Sequence, residues 1–193
     1  MMICHDLKTI FIHCHKCAGN SIEMAVFNTV DANVDGYRLE GSNEKHLCIN
    51  GYSHKYGARI TKEYFVFSFV RNPWDRVISW LHFRDKRWGM FNNNIDKDVI
   101  VKELNKPYFK NSTYYSMLKL RSPGAVDFIG KVENLHEDME YVFDKLNLTD
   151  RNIPNINTTT HKHYTEYYDD DTRRMVYNIY ANDIKHFNYT FGD

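Results

Sequence analysis

Three short apolar runs punctuate this chain, and each is followed by apolar residues at helical spacing. Lys8 to His13, rich in β-branched and apolar residues, reads as a buried strand. After a polar loop, Asn20 and Glu23 form an Asn-x-x-Glu capping pattern, and Ile22, Ala25, Val26 and Thr29 recur on one face of the helix it opens. Tyr64 to Val70 is apolar nearly throughout, as expected for a strand covered on both faces. Asn72 can cap the next helix and Pro73 suits its first turn. Trp74, Val77, Ile78 and Leu81 then fall at i, i+3, i+4 and i+7, a core-facing stripe that leaves Ser79 to one side. Val126 to Gly130 is a third strand, after which Asn134 and Glu137 repeat the capping pattern ahead of Leu135, Met139, Val142, Phe143 and Leu146. Strand, loop and helix recur three times.

The remaining segments are less regular. Residues 31–62 predict loop with a short helix near 46–57, and residues 86–122 predict short helices around 96–105 and 111–119. Residues 152–168 are turn-rich, and a last helix from about Asp170 places Val176, Ile179, Tyr180, Ile184 and Phe187 on one face. Alternation of strands and helices predicts an α/β class with a parallel sheet flanked by helices. The length suits a single domain, residues 1–193, with no internal repeat or linker.

Composition narrows the partners. The 25 basic and 25 acidic residues balance, which argues against a nucleic-acid backbone or an acidic membrane as partner while leaving room for a local basic pocket. No run reaches the roughly 18–20 apolar residues of a membrane span, and Met1 to Asp6 lacks the regions of a signal peptide. The expectation is a soluble, cytoplasmic protein. Cys4, Cys14, Cys17 and Cys48 lie early in the chain, with Cys14 between His13 and His15 and Cys17 two residues beyond. Structural zinc needs a second ligand pair at a defined spacing, and only Cys48, His54 and the distant His161 and His163 are candidates. Reduced thiols and no metal are expected instead. Asn-x-Ser/Thr matches at Asn111, Asn147, Asn157 and Asn188 follow from an Asn- and Thr-rich composition.

Two strand-to-helix junctions carry candidate chemistry. In the first, His15-Lys16-Cys17-Ala18-Gly19-Asn20-Ser21, the backbone N–H groups of the opening helix favour an anion, Gly19 lets the backbone approach it, and Asn20 and Ser21 add donors. Lys16 supplies a full charge that can also neutralise a leaving oxygen. Its order differs from a Walker A loop, since the lysine precedes the glycine by three positions. In the second junction Arg71 offers a planar fork for phosphate, and Ser79 lies eight residues on. Each has a plainer alternative, with Lys16 solvated and Arg71 paired to Asp75 or Glu133. Together they suit a ligand with two phosphate-like groups.

As a pair, the segments resemble the nucleotide-binding motifs of the carbohydrate sulfotransferases of the heparan, chondroitin and dermatan type. That family's first loop reads approximately Pro-Lys-Thr-Ala-Gly-Thr/Asn-Ser, and the second fits at every position from Val70 to Ser79. The likeness continues through Phe128 to Leu135 and Tyr180 to Tyr189, so it covers nearly the whole chain. It implies a P-loop-NTPase-like fold and the donor 3′-phosphoadenosine 5′-phosphosulfate (PAPS), with PAP as product and no metal. Lys16, Cys17, Ala18, Gly19, Asn20 and Ser21 would hold the 5′-phosphosulfate, and Arg71 and Ser79 the 3′-phosphate. His15 stands where the family has proline and Cys17 where it has threonine, removing a rigid residue and one hydroxyl. Membrane anchors and the Golgi lumen are usual among eukaryotic members, so the expectation here is a bacterial or viral type.

Sulfuryl transfer to an alcohol needs a base near the acceptor hydroxyl, and histidine is poised near neutral pH. His46, in a Lys-His pair like that of bacterial-type relatives, is the favoured base, with His54 as the alternative. The expected acceptor is a carbohydrate or glycoconjugate. Residues 86–122 and 155–168 are expected to line it, with Trp88, Tyr108, Tyr114, Tyr115 and Tyr164 as candidate stacking platforms, while Lys162 and His163 are candidates for a basic loop closing over the nucleotide. Two other readings stay open: a small-molecule kinase of related fold, which lacks support from any Gly-Lys-Ser/Thr triplet, and a nucleotide- or sugar-binding module without catalysis.

Overall fold

In the computed structural model, which describes residues 2–27, 34–35, 48–57, 60–120, 125–156 and 161–193, five strands form one sheet. They are β1 (Met2–Cys4), β2 (Thr9–Ile12), β3 (Val34–Asp35), β4 (Phe65–Val70) and β5 (Phe128–Lys131), in the order β3-β1-β2-β4-β5. β2, β4 and β5 are parallel, with Ile12 opposite Ser68 and Phe67 opposite Phe128. The predicted α/β class and parallel sheet therefore hold for these three strands. β1 adds an antiparallel edge beside β2, and β3 extends it. Three- and two-residue strands are too short to display alternation, so the sequence did not announce them.

The chain divides into two compact units. The first, Met1–Val70 with Tyr114–Asn157, holds the sheet with α1 (Gly19–Phe27), α2 (Ile49–Tyr56), α3 (Ile60–Glu63), α7 (Tyr114–Met117) and α8 (Leu135–Leu146). β2 is buried throughout, as are Val66 to Val70 of β4. Phe11 stacks on Phe67 at 5.0 Å, tying β2 to β4. A Cβ on Gly130 would lie 2.4 Å from the Phe69 ring, so only glycine lets that ring lie across β5. On α8, Met139, Val142, Phe143 and Leu146 are buried as the stripe predicts. Its predicted cap does not form. A 3₁₀ turn over Val132–Asn134 leads into the helix and leaves Asn134 outside the extended conformation a capping side chain needs. Asp138 instead accepts from the Lys131 N–H at 2.6 Å.

The second unit, Arg71–Thr113 with Thr158–Asp193, consists of α4 (Pro73–Trp88), α5 (Lys97–Leu104), α6 (Pro107–Asn111) and α9 (Asp170–Phe187) plus a 3₁₀ turn at Tyr164–Tyr167. Trp74, Val77, Ile78 and Leu81 are buried with Ile100, Leu104, Phe109, Val176, Tyr180 and Ile184, so both predicted stripes meet in one core. The helix expected over 111–119 is instead two short ones, α6 and α7, because Pro107 starts a helix early and Ser112–Thr113 interrupt it. Asp169 and Thr172 make a reciprocal capping box on α9. The Lys97 ammonium and the Thr172 N–H hold the Asp169 carboxyl well below the ordinary carboxylate range. No helix among the described residues is long and apolar enough to cross a membrane.

Candidate active site

The first candidate loop joins β2 to α1 by a route that is costly for its sequence. Lys16 has φ 63° and Ala18 φ 54°, both left-handed, with Cys17 between them. Left-handed backbone costs a non-glycine residue on the order of 1 kcal/mol or more. Alternation of left- and right-handed residues is also how a chain turns successive N–H groups toward one point, as in anion-binding nests. α1 starts directly after, at Gly19, and the first turn of any helix carries N–H groups without an intrahelical acceptor. The loop thus combines two left-handed residues, a helix N-terminus and the half-buried Lys16.

Several residues there also make contacts inside the fold. Gly19 is required by a contact inside the fold, since a Cβ on it would lie 2.1 Å from Nε2 of His13. Glu23 does not complete a capping box with Asn20, which lies within the first turn. Its carboxylate Oε1 is 2.6 Å from Nδ1 of His13, and both side chains are buried. The Cys17 thiol is buried and turned to the Tyr114 hydroxyl at 3.2 Å, so an anion at this loop would meet its backbone rather than its sulfur. Ser21 Oγ accepts from the Ile156 N–H at 3.2 Å, which leaves the hydroxyl's own proton to donate.

β4 runs beside β2 and parallel to it, with Ile12 opposite Ser68, and ends at Val70. Within the second unit, Asn72 Oδ1 accepts from the Trp74 N–H at 3.1 Å, the cap the sequence predicts, and its Nδ2 donates to the Thr190 carbonyl at 2.8 Å. Arg71 Nε donates to Asp75 at 2.6 Å, the plainer partner foreseen for it. One turn of α4 thus orients the guanidinium, in a partly exposed pair that adds little stability. Arg76 is buried, donating through NH2 to the Ser112 carbonyl at 2.7 Å. Ser79 is buried rather than a surface hydroxyl, at 7% exposure.

The favoured base, His46, lies outside the described residues. His54 is exposed on α2, in the short helix expected there. No group of three or more His, Cys, Asp or Glu side chains that could hold a metal occurs among the described residues. Two stacking candidates are core instead: Tyr114 is fully buried, and Tyr164 is buried under Asn72 and Gly192. Trp88 and Tyr108 do line a groove of about 380 Å³ in the second unit, with Trp80, Arg84, Met90 and Lys106. Trp80 and Tyr108 stack at 4.3 Å, and Trp88 is 57% exposed. In the 161–168 segment, Lys162 and His163 are exposed, while His161 stacks on His82 at 4.6 Å. Burial and then the neighbouring His161 lower the His82 pKa, with Asp85 opposing them.

The pair that the sequence reading missed is His13 and Glu23. Its signal was present: a histidine ending a buried strand, and a glutamate at helical spacing from Val26 and Phe27 on the core side of α1.

The chain matches the pattern of the sulfotransferase family over residues 1–121 and 123–190. A protein of Archaeoglobus fulgidus, described only as uncharacterized, is 32% identical over 116 residues, covering 58% of this chain and 91% of that protein. No solved structure gives a significant match.

Proposed function

This chain belongs to the sulfotransferase family, and we propose that it moves a sulfuryl group from PAPS to a hydroxyl of a carbohydrate or glycoconjugate. The observation that carries the reading is the left-handed pair Lys16 and Ala18 ahead of α1, strain placed where amides can gather round an anion. In this reading Lys16 through Ser21 hold the 5′-phosphosulfate, by backbone N–H groups at Cys17 and Ala18 and by side chains at Lys16, Asn20 and Ser21. Arg71 and Ser79 hold the 3′-phosphate. The acceptor oxygen bonds to sulfur as the bond from sulfur to the phosphate oxygen breaks. His46 takes the acceptor's proton, and the Lys16 ammonium offsets the charge left on the phosphate. The family pattern runs through both units, which supports treating residues 1–193 as one catalytic domain. The aromatic groove at Trp80, Trp88 and Tyr108 supports a carbohydrate acceptor, since apolar ring faces suit the C–H faces of sugars.

Isothermal titration tests the donor. PAP is expected to bind with micromolar or better affinity and AMP at least about tenfold more weakly, because AMP lacks the group assigned to Arg71 and Ser79. A chelator should change neither value, since lysine, arginine and backbone donors supply the neutralising charge. Equal affinity for PAP and AMP would sink the two-phosphate reading, and binding abolished by chelator would favour the kinase. Arg71→Ala should raise the donor's KM strongly while changing kcat less. The 3′-phosphate is remote from the reacting sulfur, so its binding is felt equally in ground and transition states. A collapse of kcat with unchanged KM would remove Arg71 from that role.

A further inference from the structure

We propose that His13 is a positioning residue for the donor loop, held in place by Glu23 and acting through Gly19; the inference rests on the reading of Lys16–Ser21 as the phosphosulfate site. Three observations converge on the ring. Its Nδ1 is bonded to Glu23 at 2.6 Å, and Phe11 flanks it at 5.7 Å. Its Nε2 edge sits so close under Gly19 that a Cβ there would lie 2.1 Å away. His13 is the first residue past β2, and Glu23 lies in the second turn of α1. The bond between them therefore spans the loop 14–18 from one end to the other, like a strut across an arch.

The loop needs such a strut because its backbone is not where the residues would settle by themselves. Lys16 and Ala18 both sit in the left-handed region that side chains disfavour, with only one residue between them. Something outside the loop must over-determine that conformation. The ring of His13 fixes the Gly19 backbone, and Glu23 fixes the ring. With the ends pinned, the strained path is the one that closes. The amides of the loop are then already aligned when the anion arrives, and the cost of aligning them does not come out of donor affinity.

The pair is also costly to keep for packing alone. Two polar side chains at 5% and 6% exposure satisfy each other but gain little over an apolar pair of equal volume. A positioning role accounts for their retention beside an anion loop, and it makes a prediction that packing does not. If removing the strut lets Ala18 relax out of the left-handed region, then glycine at position 18, for which that region is not disfavoured, should restore what was lost.

The test compares His13→Gln and Glu23→Ala, each alone and combined with Ala18→Gly. Titration of PAP should show each single variant binding at least about tenfold more weakly than the unaltered protein, and the Ala18→Gly combinations recovering to within about threefold. A cooperatively melting single variant that binds as the unaltered protein does, or a loss that Ala18→Gly leaves untouched, assigns the pair to core packing and overturns the inference. Should His13→Gln fail to fold, Glu23→Ala, which keeps the ring, decides the same question. Hydrogen exchange without nucleotide separates this inference from the donor reading. Exchange in residues 14–21 should quicken at least about tenfold in the single variants, with β2 and the rest of α1 unchanged. Unaltered protein that ignores PAP, together with that local quickening, would overturn the donor reading and leave the strut standing. Exchange unchanged, or quickened throughout β2 and α1, overturns the strut.

Discussion

Lys16→Ala should cost turnover on the order of 10²-fold or more while weakening PAP binding far less. The asymmetry follows from where charge appears. On the proposed reading, the phosphosulfate's ground-state charge is spread over many oxygens and met by the amides of the loop and of α1. As the bond from sulfur breaks, charge concentrates on the bridging oxygen, and a neighbouring ammonium gains most at that moment. A hundredfold loss corresponds to about 2.7 kcal/mol of transition-state stabilisation, within reach of one aimed cation in a partly buried loop. Lys16 is half-buried and its backbone is fixed by a left-handed φ of 63°, so the charge is delivered by a constrained residue. Single-turnover kinetics with saturating donor, alongside titration of PAP, separate the two effects. Full activity in this variant would place the reaction elsewhere.

His46→Ala should remove most activity and leave PAP binding intact, whereas His54→Ala should be mild. A base acts on the acceptor's proton and contributes nothing to holding the donor, so the two readouts must part. The rate of the unaltered enzyme should also fall as pH drops through the histidine pKa, roughly 6.5 when unperturbed, because protonated imidazole cannot accept. Loss of that pH dependence in His46→Ala, with a residual flat rate, is the signature of the base itself. His54 is exposed on α2, a position consistent with a solvated ring. A dead His54→Ala beside an active His46→Ala would transfer the role, and two active variants would mean that neither histidine is the base.

The sequence was most legible where periodicity was long. α4, α8 and α9 follow their apolar stripes, and the three parallel strands fall within two residues of their apolar runs. It was least legible where a local pattern competed with a tertiary contact. Asn20-x-x-Glu23 and Asn134-x-x-Glu137 look alike as capping boxes, yet Glu23 is taken by His13, and a 3₁₀ turn displaces Asn134. Tyrosines were equally ambiguous: Tyr108 faces a groove while Tyr114 is fully buried against Cys17, and nothing in their spacing separates them. The two candidate anion motifs were readable only as residue types. The left-handed backbone that gives the first of them its shape was not, because non-glycine residues carry no mark of it.

β4 meets its partner late. Phe67 pairs with Phe128, and the first unit is completed only by residues 114–157, after the whole first segment of the second unit has been made. At about 5–20 residues per second of synthesis, the sixty or so residues between those partners leave one edge of Phe65–Val70 without its strand for several seconds on every ribosome. That run alternates phenylalanine and valine around a single serine, the composition most prone to recruit a neighbouring chain when its edge is open. Neither unit can be cut out by trimming one end, since each is assembled from two separate stretches. The yield of soluble protein should therefore depend on how fast the ribosome reaches β5, with slower initiation, which spaces neighbouring nascent chains, protecting an edge that the finished enzyme never exposes.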